Sequence, residues 1–220
     1  WILGTIAFPA FSSIQDKPDE MRRGFLGSVR LVELIVTPIA LGLIVTADPL
    51  VRVVFGQEWL DIIPILRVLA AYAWIYSIGF HVGGIYKAVG RPDILLKLSI
   101  FSIVIIVPSL LIGAHFFGVI GVAYGHLFAV IIRRTVSLVV ATRFVDVTVA
   151  EIFEQVRASL LAGLAMAVLA LAALYLTWGW SPLPQLLCVA MVGALVYLGL
   201  LWRTERENFT RLTRVFNRSR

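Results

Sequence analysis

Charge is scarce in this chain. Only 15% of the residues are charged, 60% are apolar and the mean hydropathy is +0.95. A soluble domain averages about 25% charged and about 45–50% apolar residues, so this composition excludes an ordinary soluble fold and favours a membrane protein. The single cysteine, Cys188, excludes an intramolecular disulfide and a cysteine-based metal cluster. We expect neither a metal nor a cofactor.

Catalytic motifs are also missing from the sequence. The chain has no Gly-x-Ser-x-Gly, no His-Glu-x-x-His and no Walker A loop. Its loops are too short to carry many acid or base groups, so we expect no enzyme activity. An enzyme acting on lipid-linked sugars stays an alternative if a soluble domain lies upstream. The net charge of +6 does not indicate nucleic-acid binding, because the basic residues lie at the ends of apolar spans.

Long apolar runs are what the sequence has instead. A spanning helix requires about 20 mostly apolar residues. The pattern predicts six full spans, at about 25–47 and 62–86, two within 98–132 and two within 158–202. The last two runs contain no charged residue and are too long for one helix, so we expect each to fold as a hairpin, turning at 113–118 and at 179–184. The fold class is therefore an all-α, polytopic transmembrane bundle.

The boundaries of the first spans follow from polar residues and prolines. The apolar stretch 1–14 is too short to span, so we expect it to be the end of a truncated span whose upstream part is missing. Pro18 is placed to begin the next helix, and Asp48-Pro49 is expected to end it. The mixed segment 50–61 is typical of an interfacial turn of helix.

Basic residues alternate between the two sides of the predicted bundle. Counting Lys and Arg in successive connections gives 17 on one side, the C-terminal tail included, and 2 on the other. The positive-inside rule places the larger group in the cytoplasm. Trp59, Trp178 and Trp180 then fall at the outer interface, where aromatic belts lie.

The polar segment 142–157 separates the last hairpin from the rest. Thr148 and Glu151 have capping-box spacing, and Ile152, Phe153 and Val156 share one helical face. We interpret the segment as an amphipathic helix lying on the cytoplasmic membrane surface, with a plain polar linker as the alternative. The predicted domains are thus a transmembrane lobe over 1–141, this linker over 142–157, and a terminal hairpin with a basic tail over 158–220.

Ionisable residues lie inside the predicted spans, where a charge costs about 2.5–3.5 kcal/mol and often marks a pathway, and four of them are candidates for lining a cavity. They are Arg30, Glu33, His81 and His126. Arg30 and Glu33 share a helical face and can pair. Glu33 and the two histidines are predicted at one depth, roughly 9–12 Å from the cytoplasmic surface, and could line one cavity. The alternative is structural: Arg30 snorkels, Glu33 pairs with it, and each histidine bonds to a neighbouring helix.

Small residues and prolines add weaker signals. Gly79-x-x-x-Gly83 and Gly121-x-x-x-Gly125 match the pattern for close helix approach, for which packing is the default interpretation. Pro38 lies inside a span, where it leaves a carbonyl unpaired and kinks the helix. Kinks suit a transporter, but static bundles have them too.

Several segments together resemble the C-terminal half of the polysaccharide flippase family, in the multidrug/oligosaccharidyl-lipid/polysaccharide exporter superfamily. Their order and spacing match the family pattern from residue 8 to about residue 141, and the terminal hairpin looks like the extra helix pair of fourteen-helix members. The matching segments are Phe8-Pro9-Ala10-Phe11-Ser12, Asp19-Glu20 with Arg22-Arg23, Pro38, Ala47-Asp48-Pro49-Leu50-Val51, Phe55-Gly56-Gln57-Glu58-Trp59 and Ala88-Val89-Gly90-Arg91-Pro92.

The resemblance implies a two-lobed exporter fold, of which this chain would hold most of the second lobe. It implies transport of a polyprenyl-pyrophosphate-linked oligosaccharide to the outer leaflet of the bacterial inner membrane, possible coupling to a proton or sodium ion, and contact with membrane lipids and an N-terminal lobe. Cationic residues line the cavity in that family, and Arg30 is the position that matches this role. An ion-coupled multidrug antiporter of the same superfamily is the alternative function, and a structural or scaffold role is a third.

Overall fold

The computed structural model describes residues 17–80 and 82–217, with side chains as far as Arg203. The predicted truncated span at 1–14 and His81 lie outside the described residues. The described part is helical. Its elements are α1 (Pro18–Val54), a 3-10 helix (Gln57–Ile62), α2 (Ile63–Ser77), α3 (Val82–Ala88), α4 (Pro92–Val145), α5 (Val149–Leu176) and α6 (Pro182–Asn217).

Within the described residues, five helical stretches are long and apolar enough to cross a membrane, judged by length and composition. They are α1, the stretch Gln57–Ala88, α4, α5 and the first part of α6, Pro182–Arg203. The predicted all-helical membrane bundle is therefore confirmed. Helix α1 lies at its centre and packs against α2, α5 and α6.

Helix α1 begins at Pro18, as predicted, with Asp19 and Glu20 in the first turn, where carboxylates oppose the positive end of the helix dipole. The prediction that Asp48-Pro49 ends this helix is wrong, since α1 continues to Val54. Arg52 donates two hydrogen bonds to Asp48 one turn earlier, at 2.9 and 3.0 Å. Burial of this end of α1 against the start of α2 also holds the last turn in helical form.

Pro38 removes one backbone hydrogen bond from the middle of α1. A proline has no N–H, so the carbonyl of Leu34, one turn earlier, loses its helical donor. The hydroxyl of Tyr197 on α6 donates to this carbonyl at 2.8 Å. The proline is therefore tolerated because a neighbouring helix supplies the missing donor.

Helix α4 consists of two antiparallel arms. Gly118 has non-helical angles (φ 61°, ψ −143°) and reverses the chain, within the segment predicted to turn. The arms pack so closely that a Cβ on Gly121 would collide with the backbone of Gly113, and one on Gly125 with that of Ser109. The small-residue pattern at 121 and 125 therefore does serve close helix packing.

Helix α5 begins at the predicted capping box. The Thr148 side chain accepts from the Glu151 amide, and the Glu151 carboxylate accepts from the Thr148 amide. However, α5 continues without a break to Leu176, and α4 reaches Val145, so 142–157 contains no separate helix. The buried stripe that starts at Ile152 continues into the spanning part of α5, and this shared stripe keeps the two parts in one helix.

The connections group at two ends of the bundle. At one end Arg22 forms an ion pair with Glu151, and the Arg91 guanidinium lies 6.0 Å from the ring centroid of Phe144. These residues come from three connections that were all assigned to the cytoplasmic side. At the other end the connection between α1 and α2 meets the turn between α5 and α6. The structure thus brings together the connections that the charge count grouped.

A candidate site around a broken helix

The second predicted span, 62–86, is interrupted in the structure. Helix α2 ends at Ser77 and α3 begins at Val82, with Ile78 extended (ψ 112°) and Gly79 left-handed (φ 72°) between them. The backbone angle at Gly79 favours glycine, and a Cβ there would lie 2.5 Å from Leu138 Cδ2, so that side chain would have to move. Gly79 thus serves a helix break rather than the helix-packing motif predicted from its spacing with Gly83.

A buried carboxyl group lies on the α1 side of this break. Glu33 is fully buried, and its Oε2 accepts a hydrogen bond from Thr37 Oγ1 at 3.0 Å. Trp74 Nε1 donates in turn to Thr37 Oγ1 at 3.1 Å, and Ser77 Oγ lies 2.6 Å from Glu33 Oε1. We call Glu33, Thr37, Trp74 and Ser77 the carboxylate cluster. The ion pair predicted between Glu33 and Arg30 stays a prediction.

The hydrogen count at Ser77 bears on the state of Glu33. Ser77 Oγ lies 2.6 Å from Glu33 Oε1 and also 2.6 Å from the Trp74 carbonyl oxygen. One hydroxyl has one hydrogen and cannot donate to both. Both short contacts are satisfied when a protonated Glu33 donates to Ser77 and Ser77 donates to Trp74.

A buried guanidinium lies on the α4 side of the break. Arg134 is 8% exposed; its Nη1 donates to the Gly79 carbonyl at 3.3 Å and its Cζ lies 4.0 Å from the ring centroid of Tyr76. A cation over a ring face at this distance is attracted by the ring, more strongly when both are desolvated. Arg134 Nε has no hydrogen-bond partner among the described residues.

A small pocket opens beside Arg134. Its volume is about 170 Å³, and we call it the guanidinium pocket. The polar and aromatic groups that line it are Tyr76, Phe80, Ser99, Arg133, Arg134 and Ser137. Two guanidinium groups beside one pocket can receive an anion, because arginine offers paired N–H donors to oxyanions.

The two arginines that line this pocket were not predicted as site residues from the sequence. Arg133 and Arg134 were assigned to a cytoplasmic connection because the uncharged run ends at residue 132. Helix α4 instead continues to Val145, which places both inside the helix. The apolar residues at 138–141 were the signal that the span continues. Removing the two arginines from the count of basic residues leaves the asymmetry between the two sides unchanged in direction.

The predicted site residues are not all brought together. The ring centroids of His126 and Tyr72 lie 4.4 Å apart, and Tyr72 stacks on Tyr76, so His126 contacts the face of α2 that packs against α4. Glu33 contacts the opposite face of α2 through Ser77. The predicted common depth of Glu33 and the two histidines in the membrane stays a prediction. Arg30 is half-buried on α1, one turn before Glu33.

The arrangement therefore suits anion binding and proton exchange. Among the described residues, no group of three His, Cys, Asp or Glu side chains could hold a metal ion. A carboxyl group and a guanidinium flank one unwound segment inside an apolar bundle. Broken helices in this setting provide backbone and side-chain groups to a buried ligand.

Comparisons with known proteins show what this chain is similar to. A family described as "Polysaccharide biosynthesis protein" matches residues 2–64. Lipopolysaccharide biosynthesis protein WzxC of Escherichia coli (strain K12) is 35% identical over 136 residues, which cover 62% of this chain and 28% of WzxC. Teichuronic acid biosynthesis protein TuaB of Bacillus subtilis (strain 168) is 24% identical over 215 residues, which cover 97% of this chain and 44% of TuaB.

A third relative agrees with these two. An uncharacterized membrane protein in the cps region of Klebsiella pneumoniae is 29% identical over 136 residues, 62% of this chain and 28% of that protein. No solved structure matches the chain. The chain spans less than half the length of the curated relatives it matches. The resemblance to polysaccharide biosynthesis proteins that the sequence segments indicated is thus confirmed.

Proposed function

We propose that this chain forms part of a flippase that moves polyprenyl-pyrophosphate-linked oligosaccharide across the cytoplasmic membrane for cell-surface polysaccharide biosynthesis. The support is the similarity to relatives named for lipopolysaccharide and teichuronic acid biosynthesis, together with a multi-pass helical bundle and a sequence without catalytic motifs. These names do not favour the multidrug antiporter alternative. On this proposal the protein is a transporter and not an enzyme.

The observation that carries the mechanism is the buried Arg134 beside the guanidinium pocket. A pyrophosphate headgroup that leaves water must exchange its hydration for protein donors. Arg134 has an N–H without a described partner next to a pocket that Arg133 also lines. We assign these two residues to headgroup recognition, in addition to Arg30, Glu33, His81 and His126 as cavity candidates.

Glu33 suits the coupling role in this mechanism. Its contacts with Ser77 are fully satisfied when the carboxyl group carries a proton. Loss of that proton would leave a buried charge beside the helix break, so protonation would favour the closed arrangement of α1 and α2. A proton is therefore the coupling ion that this cluster supports best, with sodium as the alternative.

The proposal also fixes an architecture. The chain would contribute six full spans and the end of a seventh to the second lobe of a two-lobed exporter, with an N-terminal lobe upstream. Residues 1–141 would belong to the lobe and 158–220 to a terminal hairpin, in the bacterial inner membrane with the C-terminus in the cytoplasm. The excess of basic residues on one side supports this orientation.

A deletion strain tests the proposed function. Cells that lack the full-length protein should still make the lipid-linked oligosaccharide and accumulate it on the cytoplasmic face. The two membrane faces are distinguished by comparing the access of a sugar-modifying enzyme to the oligosaccharide in protease-free spheroplasts and in inverted vesicles. A plasmid copy should restore export. Absence of the lipid-linked repeat itself would indicate an enzyme and refute the flippase proposal.

Arg30 provides a second test. If Arg30 meets the arriving headgroup, Arg30→Ala should abolish export at unchanged protein level, and Arg30→Lys should restore it only in part because an ammonium group lacks the paired donors. Arg23→Ala is the matched control, since Arg23 is exposed on the same helix and donates to the Asp19 carbonyl. Full export by Arg30→Ala would remove Arg30 from the site.

A further inference from the structure

We infer that the end of the bundle opposite the Arg22–Glu151 ion pair carries a second ligand site, a pocket that binds a segment of oligosaccharide. The pocket has a volume of about 470 Å³, within the usual range of about 300–1,000 Å³ for ligand sites. We call it the outer pocket. The side chains on which the inference depends are Asp48, Arg52, Arg67, Trp178, Trp180 and Gln185.

The polar groups of the outer pocket are held in place. Arg52 and Asp48 form a two-fold hydrogen-bonded ion pair, and Arg67 Nε donates to the carbonyl of Ile44 at 3.2 Å. Gln185 is 8% exposed, and its Nε2 donates to the carbonyls of Thr177 and Leu174. A pocket whose donors and acceptors are already oriented loses little conformational entropy when a ligand binds.

Two tryptophans at the outer pocket define the ligand class. Trp178 is 82% exposed and Trp180 is 55% exposed, and both line the pocket. A pyranose ring has apolar C–H faces, which pack on indole. Its hydroxyl edge donates hydrogen bonds to carboxylate and amide oxygens and accepts them from guanidinium N–H groups. The outer pocket offers both surfaces side by side, as sites for small polar ligands with apolar faces do.

Anchoring in the membrane interface is the competing explanation for these tryptophans. Trp59 lies in the 3-10 helix at the same end and is 52% exposed, but it does not line the pocket. Trp59 therefore provides the comparison: it has the exposure of an interfacial anchor without the polar pocket beside it.

The inference rests on the proposed function, because the glycan expected in the outer pocket is the exported one. The test is nevertheless a binding experiment that requires no transport. The full-length protein is purified into nanodiscs, and the cell's own sugar repeat, released from its lipid by mild acid, is titrated while intrinsic tryptophan fluorescence is followed. Nanodiscs with and without phosphatidylglycerol provide the lipid-headgroup arm.

We expect saturable binding of the released repeat by the wild type, with affinity lowered about tenfold or more by Trp180→Ala, as for an aromatic contact at the centre of a site. Arg67→Ala should also weaken binding, and Trp59→Ala should leave it unchanged. The inference would be overturned if the wild type did not bind the repeat, or if Trp180→Ala and Arg67→Ala both bound it as tightly as the wild type. A fluorescence response to phosphatidylglycerol but not to the repeat would assign the pocket to a lipid headgroup and overturn it as well.

The two proposals fail in different experiments. If the deletion strain makes no lipid-linked repeat, the flippase proposal fails whatever the binding result. If that strain accumulates the repeat on the cytoplasmic face but the wild-type protein does not bind it after release, only the outer pocket is refuted.

Discussion

The carboxylate cluster and the guanidinium pocket lie on two faces of the same short helix, α2, and they bury ionisable groups in opposite ways. Glu33 is enclosed by Thr37, Trp74 and Ser77, and its oxygens have partners. The Arg134 guanidinium donates to one backbone carbonyl and lies over one aromatic ring. Its Nε has no described partner, and a pocket opens beside it.

On the proposed function, this difference separates a group that holds the fold together from one that receives a ligand. A fully hydrogen-bonded buried group is costly to remove, because its partners are left unsatisfied. A buried charge with incomplete partners contributes little to stability, and an apolar residue of similar size can replace it without loss. We therefore expect substitutions on the two faces to separate stability from transport.

The largest expected effect is at Gly79, in the break that follows α2. Gly79→Ala places a side chain at φ 72° and 2.5 Å from Leu138 Cδ2. We expect a loss of about 2–4 kcal/mol of unfolding free energy from the backbone angle and the overpacking together. The midpoint of thermal unfolding of the purified full-length protein in detergent measures it.

Gly90→Ala is the control for Gly79. Gly90 has a similar backbone angle, φ 69°, but a Cβ there would meet nothing within 4 Å. Gly90→Ala should therefore lose only the part of the unfolding free energy that is due to the backbone angle. Equal losses at the two positions would show that the packing of Leu138 against the helix break contributes nothing.

The carboxylate cluster should respond next. Glu33→Ala leaves Thr37 and Ser77 without their carboxyl partner in a buried place, at a cost of about 1–3 kcal/mol. Glu33→Gln keeps the volume, and its amide can donate to Ser77 and accept from Thr37, so most of the stability should remain while export is lost. If Gln were as destabilising as Ala, the cluster would not be held by these hydrogen bonds.

Gly163 on α5 provides a smaller perturbation of the same cluster. A Cβ there would lie 2.8 Å from Thr37 Cγ2 and 2.9 Å from Leu41 Cδ1. Gly163→Ala should cost about 1 kcal/mol or slightly more, because both neighbours must move. Gly27→Ala on α1, where a Cβ meets nothing within 4 Å, should be neutral or stabilising because alanine is the better helix former.

The smallest expected effect on stability is at Arg134. Arg134→Met replaces the guanidinium by a flexible apolar side chain, and we expect unfolding to change by less than about 1 kcal/mol. Export should nevertheless be lost, since the guanidinium pocket would have lost its buried cation. Normal export by this variant would end the assignment of Arg134 to headgroup binding, and a large loss of stability would show that the two faces do not differ.

Much of the fold could be predicted because its signals are local. The uncharged runs are too long for one helix, which predicted a turn in each, and the glycines and prolines at 113–118 and 179–184 gave the positions. The Thr148 capping box is readable as a four-residue pattern and begins α5 at the predicted residue. The candidate site was only partly predictable: Glu33 was identified as an ionisable group inside a span, but its partners Ser77 and Trp74 lie on another helix.

The sequence by itself determined that the protein is a membrane protein, that it is helical, and which connections share one end of the bundle. It did so because hydropathy, helix caps and the placement of basic residues act along the chain. Only the tertiary structure decided that the helix breaks at Gly79, that Tyr197 supplies the donor missing at Pro38, and that Arg134 is buried over Tyr76. The contacts of Tyr197 and Arg134 join different helices, so no local pattern along the chain predicts them. Each depends on which helix packs against which, and that is set by the sum of contacts across the bundle.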